Sequence, residues 1–383
     1  MRVGIITFHG SDNFGSVLQA FSLLEVLREE GFEAEIIDYQ FTLNYKQYDV
    51  VRWHSYFFLP TLKSDIIFHK IRKERKEKFK DFRNSYFKLS ERSYKNEHEL
   101  TQCNSLYDSF ICGSDQIWNT YCTGRKVNAG YFLEFVEDKK LKIAYAVSMG
   151  DNQIPNRLAK EFEYAVNRID YVSFREKKSE LLVRPILPQK KIYTVADPTI
   201  LHDATFYKNI ILKHFQSQPR NNEGKFAFLY ILGRITPNRT WIESALNFLE
   251  TTGLEIIYWI DDYDLFNHKL AKYKNVSNCH PVEFLDYIAR ASLVVSNSFH
   301  CTVFSSIFNK DFITVERLGS NNRLYDFLSF LSIENKIVST KASTEDFLNA
   351  HKTNIDFTIP NKRLSELRES SKNFLISALE RKL

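Results

Sequence analysis

Val3-Gly-Ile-Ile-Thr-Phe8, the polar loop His9-Gly-Ser-Asp-Asn-Phe-Gly-Ser16, a helical run from about Val17 to Glu30, and Ala34-Glu-Ile-Ile-Asp-Tyr39 decide the fold. A short β-branched run, a polar turn, an apolar-periodic helix and a second β-branched run form one βαβ unit. Gly31 stands where the helix must stop, a position that favours the left-handed backbone glycine adopts freely. Working outward, strand-like pieces return at residues 109–112 (SFIC), 142–148 (KIAYAVS) and 170–176 (DYVSFRE). A second alternating series opens near residue 225 with FAFLYILG. It continues through a helix over 239–252, LEIIYWI, a helix over 281–291, LVVSNSFH, a helix over 301–309 and DFITVE. A final amphipathic helix covers about 361–382. The pattern predicts an α/β chain of two Rossmann-like domains facing a cleft. The expected boundaries are 1–202, with an insertion over 40–100, and 203–383, with a terminal helix free to pack back on the first domain.

At 383 residues the chain is long for one hydrophobic core. No apolar run reaches the roughly 20 residues that span a bilayer, and the opening Met1–Phe8 lacks a cleavage site, which argues against a signal peptide. Five cysteines, Cys103, Cys112, Cys122, Cys279 and Cys301, have no CxxC spacing. They read as reduced thiols of a cytoplasmic protein. The 32 Phe and 20 Tyr must mostly fill cores, and a net charge of +5 decides nothing alone. Residues 69–83 carry eight Lys or Arg against three acids, just after the aromatic stretch of Trp53, Tyr56, Phe57 and Phe58. That helix is either solvated, with pairs such as Glu74–Lys78, or a peripheral contact with anionic lipid at the inner face of the membrane. No basic motif with interleaved base-stacking residues appears, so nucleic acid is not an expected partner.

Ligands of open α/β sheets bind beyond the C-terminal ends of strands, so the residues just after strands are the candidates. Asn13 and Gly15 precede the first helix, where free N–H groups suit an anion; a plain helix cap is the alternative. Ser114, Asp115 and Gln116 follow SFIC. Asp115 there could orient a hydroxyl or take its proton, or else cap a helix. Arg175 follows the next-but-one strand and could grip phosphate or carboxylate with a fork, or pair with Glu176. Ser298 and His300 end LVVSNSFH. His300 suits proton transfer near neutrality, and Ser298 suits a cap or an anion.

Together these segments resemble the polysaccharide pyruvyl transferase family, from TFHGSDNFGSVLQAFSL through ICGSDQIWN, AYAVSMG, YVSFREK and VADPTIL to SNSFHCTVFSSIFNKDFITVE and GSNNRLYDFL. The resemblance implies a GT-B-like fold and an enzyme of exopolysaccharide or capsule synthesis, with phosphoenolpyruvate as co-substrate and neither metal nor other cofactor. It implies a sugar acceptor on a lipid-linked oligosaccharide, His300 as the catalytic acid or base, Arg175 at the donor and Asp115 as the acid of GSDQ. Arg323 is expected to be the second donor cation, with Arg317 its rival. The family's usual glycine after the histidine is Cys301 here, which narrows the start of that helix. The rival activities are a GT-B glycosyltransferase using a nucleotide sugar and a non-catalytic membrane-associated assembly protein.

Overall fold

The structure, a computed structural model, describes residues 1–41, 48–52, 58–150, 153–217, 220, 224–233, 238–261, 267–317 and 321–383. Trp53, Tyr56 and Phe57 lie outside the described residues, as do Gly319 and Ser320 of the GSNNR segment. The chain divides into two compact units. One comprises residues 1–48, 83–202 and 365–383, the other 49–82 and 203–364. One break falls at 202/203, and each unit also takes a segment from the far side of it.

Among the described residues the first unit holds β1 (Arg2–Ile6), β2 (Glu33–Tyr39), β3 (Leu89–Tyr94), β4 (Ser109–Cys112), β5 (Leu141–Val147), β6 (Tyr171–Phe174) and β7 (Ile192–Thr194). They are parallel throughout and lie in the order β3-β2-β1-β4-β5-β6-β7. Every residue of β4 and β5 is buried, the mark of central parallel strands covered on both faces. The first helix, Phe14–Glu29, begins three residues before its expected start, so Gly15 lies in its first turn and not in a loop. Thirteen of its sixteen residues are buried. Gly31 at φ 82° ends it, donating to the carbonyl of Arg28 at 3.0 Å. The helix Thr358–Leu379 ties its later turns to the same unit. Arg368 donates to the carbonyls of Ile200 and His202, and the Ser371 hydroxyl accepts the N–H of Ala196 at 2.8 Å. The aromatic load fills the core: Trp118 stacks on Phe132 at 4.7 Å and meets Phe162 and Phe174 edge-on.

The second unit holds β8 (Phe226–Ile231), β9 (Glu255–Ile260), β10 (Lys274–Asn275), β11 (Leu293–Ser296), β12 (Phe312–Val315) and β13 (Ile337–Val338). They form a parallel sheet in the order β10-β9-β8-β11-β12-β13. Residues 49–82 join this unit largely through the basic helix His69–Tyr86. Arg72, Arg75, Phe79 and Phe82 are buried there. The Arg75 guanidinium donates to the carbonyls of Ser277, Asp261 and Ile260 at 2.6, 2.9 and 2.8 Å, and lies over the Trp259 ring. The expected Glu74–Lys78 pair is replaced: Glu74 accepts from Asn278 at 2.6 Å, and Lys78 pairs with Glu283 at 2.9 Å. Part of the basic stretch is therefore internal structure and not a lipid-facing surface. Among the described residues, no helix is long and apolar enough to cross a membrane.

Candidate active site

Each sheet reverses its chain order once, between β1 and β4 in the first unit and between β8 and β11 in the second. Such switch points open crevices at the strand ends, because the flanking connections leave in opposite directions.

At the first switch point, β1 feeds the helix Phe14–Glu29 while β4 turns into Gly113–Gln116. Asn13 caps that helix, its side-chain oxygen accepting the Ser16 N–H at 3.2 Å. The Ser16 hydroxyl donates to Asp115 Oδ2 at 2.7 Å, and the Gln116 N–H donates to Asp115 Oδ1 at 2.9 Å. Asp115 starts no helix. It sits at φ 67° after Gly113 at φ 125°, across a cis Gly113–Ser114 peptide. From β5, the Ser148 N–H donates to the Asp115 carbonyl at 3.0 Å and the Ser148 hydroxyl donates to Glu176 Oε1 at 2.9 Å. From β6, Arg175 bonds Glu176 through Nε at 3.0 Å and Asp197 through Nη1 at 2.7 Å. A polar chain thus runs across the strand ends in sheet order.

Two expectations are decided here. Ser114 is fully buried, donating through its hydroxyl to the Ala146 carbonyl and through its N–H to Gln19 Oε1, so it builds the turn and faces no substrate. Arg175, read either as an open fork or as a partner of Glu176, takes the second form, its side chain 2% exposed and engaged by the Glu176 and Asp197 carboxylates. Burial disfavours the charge of that guanidinium, but Glu176, Asp197 and Asp115 outweigh it and push its pKa up. Gln116 is half-buried, its Oε1 accepting from Asn119 at 2.8 Å.

At the second switch point, Asn297 follows β11 and bonds the backbone after β8, accepting the Leu232 N–H at 2.8 Å and donating to the Leu232 carbonyl at 3.0 Å. Ser298 then caps the helix Phe299–Ile307, its hydroxyl accepting the Cys301 N–H at 3.4 Å. The helix starts two residues earlier than expected, which puts His300 in its first turn, half-buried, with its ring edge-on to Phe299 at 5.3 Å. Arg323, buried in the helix Asn321–Leu331, lays its guanidinium 6.0 Å from the centre of the same Phe299 ring. His300 and Arg323 therefore share one aromatic neighbour. Arg317 stands half-buried after β12. Cys301 is fully buried and its thiol is pushed up to about 12 by burial, which makes it a packing residue and no nucleophile.

A model of the polysaccharide pyruvyl transferase family matches residues 13–318, most of the chain. The chain belongs to that family. No curated protein sequence matches it closely enough to add a relative. Among solved structures, this pyruvyl transferase family member is similar to the candidate UDP-N-acetylglucosamine 2-epimerase of Listeria monocytogenes, at 10% identity over 99% of this chain and 95% of that one, with a TM-score of 0.55. It is also similar to the UDP-GlcNAc 2-epimerase of Neisseria meningitidis bound to UDP-GlcNAc, at 8% identity over 100% of both chains and TM-score 0.53. The Methanocaldococcus jannaschii UDP-GlcNAc 2-epimerase matches at 12% identity over 92% of each chain, with TM-score 0.52. At such identities the likeness shows the fold alone, two parallel-sheet α/β domains of the GT-B kind.

Sequence reasoning missed the roles of Ser16, Ser148 and Asp197, and gave Glu176 only as a partner of Arg175. All four lie inside the GS, SMG, SFRE and DPT segments, Ser148, Glu176 and Asp197 within three residues of a strand end and Ser16 in the first turn of a helix. The signal was their position, and what hid their roles is that each bonds a residue remote in sequence.

Proposed function

We propose that the chain transfers the pyruvyl group of phosphoenolpyruvate to two hydroxyls of one sugar, in a surface polysaccharide or its lipid-linked precursor, leaving a cyclic ketal. The observation that carries this reading is His300, set at a helix N-terminus on the switch point of the second sheet within the family-matched region, with Arg323 stacked on the adjoining Phe299.

The second unit serves the donor. Phosphoenolpyruvate presents a phosphate and a carboxylate, and a helix N-terminus with a planar guanidinium suits such an anion. The first unit serves the acceptor through Asp115. In the first step a sugar oxygen bonds the central carbon while His300 delivers a proton to the methylene carbon, which becomes the methyl group. In the second, another hydroxyl of the same sugar bonds that carbon and the C–O bond to phosphate breaks. Of the two hydroxyl protons, one balances the proton on the methyl group and the other leaves on the phosphate. Asp115 accepts and relays a hydroxyl proton, and Arg175 holds the neighbouring carboxylates in place without gripping the donor itself. No step calls on a metal or a further cofactor.

The structural likeness to epimerases of UDP-GlcNAc keeps a nucleotide-sugar donor as the rival. Calorimetric titration of the full chain separates the two: phosphoenolpyruvate should bind with saturable heat and UDP-GlcNAc should not. Binding of UDP-GlcNAc alone would sink the reading.

A further inference from the structure

The turn at Gly113–Gln116 is more elaborate than a strand-to-loop connection requires. Asp115 is 8% exposed and holds a left-handed backbone at φ 67°, a region few residues other than glycine occupy. Gly113 before it has no room for a side chain, because a Cβ would stand 2.0 Å from the Tyr145 carbonyl oxygen. Backbone held in such a region, at a strand end beside a switch point, marks a place where geometry serves a function.

The carboxylate at that turn has both oxygens assigned. Oδ1 accepts the N–H of the next residue, Gln116, and Oδ2 accepts the Ser16 hydroxyl at 2.7 Å. Ser16 comes from the opposite side of the switch point, 99 residues away in sequence. Its own backbone is fixed by the Asn13 cap, so its hydroxyl has a defined direction. The charged groups around Asp115 are Arg175 from the end of β6, which feels its charge, and the Glu176 and Asp197 carboxylates that Arg175 binds. From β5 comes only a neutral group, the Ser148 N–H on the Asp115 carbonyl. From the helix Phe14–Glu29 the group that reaches the carboxylate is the Ser16 hydroxyl.

We propose that Ser16 is a positioning residue: its hydroxyl orients the Asp115 carboxylate, so that Asp115 can take a proton from an acceptor hydroxyl. The last clause rests on the pyruvyl-transfer reading; the first does not. A hydroxyl donated to one oxygen of a carboxylate fixes which lone pairs remain for a substrate. Ser16 lies three residues past a helix cap, where an alanine would keep the helix and lose only the hydroxyl.

The test is carbon NMR of the carboxyl signals at neutral pH on the full chain labelled at aspartate, with Asp115→Asn identifying the signal. In Ser16→Ala the Asp115 carboxyl signal should leave its wild-type position, because the hydrogen bond on Oδ2 is gone. Turnover should fall about tenfold, with KM for phosphoenolpyruvate within about twofold of wild type. Ser16→Thr, which keeps a hydroxyl, should hold the wild-type signal and tests the proposal even if the alanine variant does not fold. A wild-type signal in Ser16→Ala, or an alanine-like one in Ser16→Thr, overturns it. If wild-type protein makes no pyruvyl product at all, the transfer reading fails while the NMR comparison still decides the role of Ser16.

Discussion

Gly113 shows how a single residue sets the site. The 2.0 Å approach to the Tyr145 carbonyl and the φ of 125° admit no side chain, so Gly113→Ala must move backbone at the end of β4. Strain and overpacking together should cost at least ~2 kcal/mol, read as a lower urea midpoint with unchanged slope; a variant as stable as wild type would contradict the geometry. His300→Ala should lower turnover by about 10²–10⁴-fold while donor affinity stays near wild type. Arg323→Ala should instead weaken phosphoenolpyruvate binding, because it removes the cation stacked on Phe299; an unchanged titration removes Arg323 from the donor site. At this scale the sequence exposed candidates but not partners. Asp115 and His300 stood out as candidates because each follows a strand. The burial of Arg175 was not legible, because Asp197 lies 22 residues further on and nothing local says that the two meet.

Among elements, the helix Pro281–Arg290 carries a titratable cap. The His280 ring accepts the Val282 N–H through Nδ1 at 3.1 Å, so it must be neutral at that nitrogen, and it stacks on His214 at 4.6 Å. Burial, then the charges of His214 and Lys78, lower its pKa to about 3. The Asp81 carboxylate, 3.5 Å from Nε2 and largely exposed, does not reverse this, and Glu283 lies on the same turn. A histidine depressed in the fold favours folding fully above its ordinary value near 6.5. That contribution falls as pH drops from there toward about 3, because the unfolded chain then binds the extra proton, with a slope of at most ~1.4 kcal/mol per pH unit. His280→Asn keeps a capping acceptor and removes the titration, so its stability should fall less steeply than wild type between about pH 6.5 and 4. Parallel slopes would refute the assignment. In the helix His69–Tyr86, Arg75→Ala leaves three carbonyls without their cation and should cost about 3 kcal/mol, whereas exposed Lys73→Ala should change stability by less than ~0.5 kcal/mol. The long central strands were readable as unbroken apolar runs. The edge strands β3, β7 and β10 were not, since polar members break their short runs, and β13 is only two residues long.

Across the whole molecule, the two-sheet architecture follows from alternation of strand and helix, and that much was written in the pattern. The division of the chain was harder to see. Two of its breaks, at 82/83 and 364/365, fall inside continuous helices, and neither break has a glycine or proline beside it. Which sheet a segment joins depends on side chains such as Arg75 and Arg368 finding carbonyls far along the chain. Function at this scale rests on a family match over residues 13–318 and on two switch points furnished with different chemistry, an acid in one unit and an imidazole with a guanidinium in the other. The most direct test is mass spectrometry of candidate sugar acceptors, including lipid-linked oligosaccharides, incubated with the full chain and carbon-labelled phosphoenolpyruvate. The account predicts a product heavier by one labelled pyruvyl unit less water, formed with release of phosphate and lost in His300→Ala; unchanged acceptors, or transfer of a glycosyl unit from UDP-GlcNAc in their place, would contradict it.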